Sequence, residues 1–267
     1  MQRLTVSERL ALAVLPPLVL LAALLAAFVV ERRWESIRSS TIVGYAETTR
    51  VMSDLVHELQ RERGASVGVV ASRRQKPEAV SLLEAQRART NEALSAYRTL
   101  RSEKRFGAAA RFDAILGAAE DELAQITARR RGIDEMEMPV PAVVGWYTGL
   151  IRKLMLSNTE AAKAVEDGRT SLSLLTLQAL GETKENAGLE RAAGNALVSG
   201  GIVEASRYRG FVEALAREKD RFGEFAALAE GNEDALVKRL ATAPTRADVE
   251  RLRAILVASL ETGSLDG

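Results

Sequence analysis

No cysteine occurs in the 267 residues. Disulfides, thiolate metal sites and cysteine nucleophiles are excluded together. There is one histidine, His57, so a Ser-His-Asp arrangement would have to use it, and a lone histidine among charged helical neighbours reads as a solvated side chain. Helical di-metal oxidases need Glu-x-x-His motifs on facing helices, and none is present. Charge of one sign is also missing. The 37 Lys and Arg nearly cancel the 36 Asp and Glu, without the basic excess that phosphate contacts require, so a dedicated nucleic-acid binder is excluded. No metal, cofactor or catalytic chemistry is expected. No segment alternates with period two for long enough to read as a strand.

What remains is helical. Ala, Leu, Glu and Arg dominate, all strong helix formers. Residues 10–30 carry no charge, and at 1.5 Å per residue they reach about 30 Å, the thickness of a bilayer core. The run is longer than the apolar part of a cleaved signal peptide, so it reads as an uncleaved membrane anchor, with residues 1–33 forming the tip and the span. Lys and Arg lie on both sides of the span and do not fix its orientation. Helical periodicity then covers 34–72, 77–101, 108–130, 142–166, 170–199, 205–230 and 245–260, punctuated by Pro77, Gly168, Gly200, Gly201, Gly231 and Pro244. The expected fold is all-α: a transmembrane helix, then two up-and-down four-helix bundles. The first bundle would occupy 34–131, a linker 132–141 and the second bundle 142–267.

The informative residues are charges on apolar seams. Leu177, Lys184, Arg191 and Val198 recur every seven residues and share one helical stripe. Lys184 and Arg191 are therefore expected to face the bundle interior. In the first long helix Glu62 and Ser66 continue the stripe of Leu55 and Leu59, with Arg63 on its edge. Glu62-Arg63-Gly64 and Glu190-Arg191-Ala192 are alike, 128 residues apart, which suggests a duplicated bundle. One reading of these charges is a set of register-fixing salt bridges, Arg63 and Arg191 pairing with Glu62 and Glu190, in a membrane-anchored scaffold. The other is a small-anion site, because two guanidinium forks can grip a planar oxyanion from different sides. Two inward arginines would repel one another when empty, so deleting either would stabilise the ligand-free domain.

At these residues the sequence resembles the nitrate- and nitrite-sensing (NIT) family. Its first hallmark, L-x-x-E-R-G-x-S-x-G, is matched from Leu59 to Gly68. Its second, K-E-x-A-G-x-E-R-A-x-G-N, is matched from Lys184 to Asn195, and Trp146-Tyr147 resembles the aromatic start of a mid-domain helix. The resemblance implies a helical double bundle that binds nitrate or nitrite between helices and signals across a membrane. Carried over, the ligand arginines would be Arg63 and Arg191, with Arg61 next in line; Lys184, Ser66 and Asn195, in the same two motifs, join them as candidate ligand residues. It further implies a homodimer in the bacterial inner membrane with the sensor outside the cytoplasm, feeding a HAMP relay and a methyl-accepting or kinase output domain. No second span, relay or output domain occurs in the sequence, so the last helix is expected to be cut short and the output to lie elsewhere.

Overall fold

The computed structural model describes residues 25, 28, 32, 44, 47–103, 110–165, 167–200 and 205–262. The chain divides into two compact units, 1–45 and 46–267. In the first unit the expected span 10–30 lies outside the described residues except for Leu25 and Phe28. Both are helical and more than half exposed, and the Arg32 guanidinium stacks over the Phe28 ring. No helix among the described residues is long and apolar enough to cross a membrane.

The second unit is all-helical among its described residues. Helix α1 covers 47–71, followed by α2 (Pro77–Glu103), α3 (Ala110–Ala124), α4 (Ile126–Asp134), α5 (Val140–Ala164), α6 (Gly168–Gly200), α7 (Ala205–Leu228), α8 (Asn232–Ala241) and α9 (Arg246–Thr262). Helix α1 ends where Arg73 and Arg74 turn left-handed, letting the Arg74 N–H reach the Val69 carbonyl at 3.0 Å. This bond satisfies a carbonyl that the helix end would otherwise strand. Pro77 then opens α2, at a position where its missing N–H costs nothing.

The helix expected over 108–130 is broken at Gln125 into α3 and α4. The stretch 132–141 begins inside α4, where Gly132 and Ile133 are buried, and the chain turns only after Asp134. Helix α5 packs against both α3 and α6, so contacts cross the stretch read as a linker. It can do so because its inward positions are apolar on a wide arc: Val143, Tyr147, Leu150, Ile151 and Leu154 are all buried. With Leu55, Leu59, Leu83, Tyr97, Phe112, Leu116 and Leu123 they form the main core. The core on the far side of α6 is smaller. There Leu197, Phe211 and Leu215 cluster with Tyr208, Val212 and Leu256. Helix α8 buries nothing. At Gly194 a Cβ would stand 3.2 Å from Leu256 and 3.6 Å from Phe211, so glycine is what lets these side chains approach the α6 backbone.

Candidate functional site

Helix α6 is buried along two rows. At 3.6 residues per turn, Leu174, Gln178 and Glu185 form one, and Thr176, Ala179, Thr183, Asn186, Glu190 and Leu197 form the other. The stripe expected to face inward lies between them and outside both. Leu177 and Val198 are 36% and 60% exposed, and Lys184 and Arg191 are exposed as well. This overturns the inward assignment of Arg191; Lys184, although exposed as a residue, turns its ammonium to α1. Two apolar residues on the stripe mimic a seam, but a helix packed on two sides buries the rows to either side of it. Asn195 and Arg61 are also exposed.

Arg63 is buried. Its Nη1 donates to Glu185 Oε1 at 2.5 Å and its Nη2 to Oε2 at 3.1 Å, a fork-to-fork pair linking α1 to α6. Nη1 also donates to Thr148 Oγ1 at 2.8 Å, which ties in α5. Gln60 Nε2 donates to Glu185 Oε2 at 2.9 Å. The guanidinium lies against Gly188, where a Cβ would be 3.7 Å from Nη2. Ser66 is buried as expected, its Oγ beside the Tyr147 phenol but without the geometry of a hydrogen bond. Lys184 Nζ stands 2.6 Å from His57 Nδ1. Burial lowers the Lys184 pKa, while Glu58 and Glu185 act the other way. Burial and then Lys184 lower that of His57. Beside this contact a cavity of about 190 Å³ opens between α1, α5 and α6, lined by Val56, Gln60, Leu154, Asn158, Leu180 and Lys184 among others.

Two further clamps flank the site. Glu62 is fully buried and accepts from Arg130 Nε at 2.7 Å, Arg130 Nη2 at 2.8 Å and the Tyr147 hydroxyl at 2.7 Å. Burial pushes its pKa up, but the hydrogen bonds and charge of Arg130 outweigh this and hold it below the usual carboxylate value. Burial and then the Glu62 charge push the Tyr147 pKa well above its usual value. In the second half Glu190 accepts from Arg253 Nε at 2.7 Å and Nη2 at 2.6 Å. Glu62 thus pairs with Arg130 and Glu190 with Arg253, not with the arginines that follow them. Glu185, Thr148, Gln60, Arg130, Tyr147 and Arg253 were not named as site residues from sequence. Gln60, Glu185 and Tyr147 sit inside the matched motifs, a signal within reach; Arg130 and Arg253 carry no local pattern.

Residues 54–267 match the family described as nitrate and nitrite sensing, NIT. This chain belongs to that family. The NIT match runs from α1 to the last residue and so takes in all three clamps. No curated protein matches the chain. A solved structure, "Structure of the NasR transcription antiterminator", superposes with a TM-score of 0.77 at 23% identity, over 88% of this chain. The present chain spans 63% of the length of that protein. The likeness establishes that the helical arrangement recurs there. The NIT family is described as nitrate and nitrite sensing, and the clamps lie within the residues that match it.

Proposed function

We propose that this NIT domain binds nitrate or nitrite between α1 and α6, with Arg63 as the principal ligand. Arg191, Arg61, Lys184, Ser66 and Asn195 would complete or line the approach, and the domain would work as the sensor of a homodimeric membrane receptor anchored by residues 10–30, its sensor facing away from the cytoplasm and its output carried by a HAMP relay with a methyl-accepting or kinase domain. The observation that carries the reading is the Arg63 fork: a buried guanidinium whose two N–H groups already grip one planar, two-oxygen edge. Nitrate presents the same kind of edge. Arg191 makes no ion pair among the described residues, so its donors are available to an anion or to a second subunit.

The register-lock reading has support of its own, because three arginine–glutamate pairs tie separate helices together. Nitrate titration separates the two. Calorimetry on the full chain in mild detergent should show nitrate or nitrite binding, and melting temperature should rise with ligand by mass action. Sulfate and chloride should do much less, and Arg63→Ala and Arg191→Ala should each abolish binding with helicity retained. Absence of heat and of any melting shift at millimolar nitrate would leave only the lock.

A further inference from the structure

We infer that Glu185 is an internal anion, occupying the Arg63 fork in the ligand-free domain, and that nitrate binds by displacing it. The inference rests on the assignment of Arg63 as the nitrate ligand.

Three observations carry it. The carboxylate meets Arg63 along both oxygens, and that edge matches the O–N–O edge of nitrate in planarity and charge. Both side chains are less than a tenth exposed, so nitrate cannot add to the outside of the pair; it must take the place of one partner. Charge counting points the same way. Among the described residues Arg63 is the one cation hydrogen-bonded to Glu185; the Lys184 charge acts on Glu185 without a hydrogen bond, and a second anion on the Arg63 guanidinium without departure of the first would leave two negative charges on one buried fork. Glu62 differs, because Arg87 Nε stands 3.9 Å away in addition to the Arg130 fork.

The displaced carboxylate has somewhere to go. Gln60, already bonded to Glu185, also lines the cavity between α1, α5 and α6, and so does Lys184. A released Glu185 would turn toward the Lys184 ammonium. The proposed function has Lys184 complete or line the approach of nitrate. The geometry gives it a further task, receiving the internal anion once nitrate has taken Arg63. Glu185 then sets affinity: a domain whose competent, Glu185-out state is a minor population binds with its intrinsic affinity reduced by that fraction.

The test uses the full chain in mild detergent, with nitrate and formate as probes. Glu185→Gln keeps the side-chain shape and removes the charge; Glu185→Ala empties the space. Both should bind nitrate more tightly than the unmodified chain, by roughly ten-fold or more. Formate should raise the melting temperature of Glu185→Ala, leave the unmodified chain unaffected, and lose its effect in the Arg63→Ala, Glu185→Ala double variant. Circular dichroism reports whether each variant is folded, and Glu185→Gln stands in if the alanine variant is not. If the unmodified chain binds nitrate through Arg63 and the folded Glu185 variants bind no tighter, the internal-anion inference fails alone. If no variant binds nitrate, the sensing assignment fails and this inference fails with it.

Discussion

Glu62 and Glu190 begin the same Glu-Arg-small run, and in each half an arginine from a later helix grips the carboxylate through Nε and Nη2. Beyond that, the two halves invert. In the first half the carboxylate is the hub. Glu62 holds Arg130 and the Tyr147 hydroxyl, with Arg87 close by. In the second half the arginine is the hub. Arg253 holds Glu190, Glu218 at 3.1 Å and Glu250 at 2.8 Å. The hydrogen bonds that Arg253 donates to Glu190, opposed by burial, push the Arg253 pKa up further. The next residue diverges too. Arg63 is buried on Glu185, whereas Arg191 is exposed. The shared run specifies a clamp. The neighbouring helices decide which partner is indispensable and whether the following arginine is enclosed.

The largest expected effect is therefore at Glu62. Removing it leaves the Arg130 guanidinium without a charged partner, held by Asn91 alone, and takes the acceptor from a buried tyrosine hydroxyl; breaking a buried pair from one side costs about 3–5 kcal/mol. Glu62→Ala should lower unfolding free energy by that amount in equilibrium urea titration. Glu190→Ala should cost less, about 1–3 kcal/mol for a charged hydrogen bond lost, because Arg253 retains Glu218 and Glu250. Its counterpart in the second half is Arg253→Ala, which leaves three carboxylates facing one another. Equal losses for Glu62→Ala and Glu190→Ala would break the hub comparison.

Next in size is Arg63→Ala, and its sign corrects an expectation. Two inward like charges predict that deleting one stabilises the empty domain. The structure instead pairs Arg63 with Glu185, so deletion leaves a buried carboxylate with the Gln60 hydrogen bond and only the more distant Lys184 charge, and should destabilise by about 2–4 kcal/mol. A melting temperature at or above that of the unmodified chain would restore the like-charge picture.

Acid titration sharpens the comparison by a smaller amount. The folded pKa of Glu62 lies below its ordinary value of 4.5. A carboxylate with a depressed folded pKa contributes stability that is fully present above the unfolded pKa and is lost as pH falls through the folded one. Stability measured between about pH 3 and 7 should therefore fall below pH 4.5, and Glu62→Gln should start lower and fall less steeply. Glu250 acts in the same direction, its pKa pushed up by burial but held down by the Arg253 hydrogen bond and charge.

Much of this arrangement was legible in the sequence, for identifiable reasons. Helical period placed Glu62 and Ser66 on the stripe of Leu55 and Leu59, and all four are buried. That stripe is read correctly because α1 follows one apolar arc. Period misread α6, which buries two separate rows; Leu177 and Val198 on the stripe between them imitate a third. The break at Gln125 leaves no trace either, because Gln is a good helix former. The partners Arg130 and Arg253 are tertiary choices, 68 and 63 residues from the carboxylates they hold, and no local pattern encodes them.

The smallest stability effect should be at Arg191, where the contrast with Arg63 is sharpest. Arg191 is exposed and makes no ion pair among the described residues, and exposed substitutions without such features stay within about 0.5 kcal/mol of neutral. Alanine is also a slightly better helix former than arginine. Arg191→Ala should thus melt within a degree or two of the unmodified chain, while Arg63→Ala melts clearly lower. If Arg191 completes the anion site, the same substitution removes nitrate binding at no cost in fold. A variant with unchanged melting and lost affinity would make Arg191 a ligand residue held free for that purpose. If Arg191→Ala instead melts early without ligand, the exposed arginine is already engaged, and a contact between two copies of α6 is the place to look: its melting temperature would then rise with protein concentration.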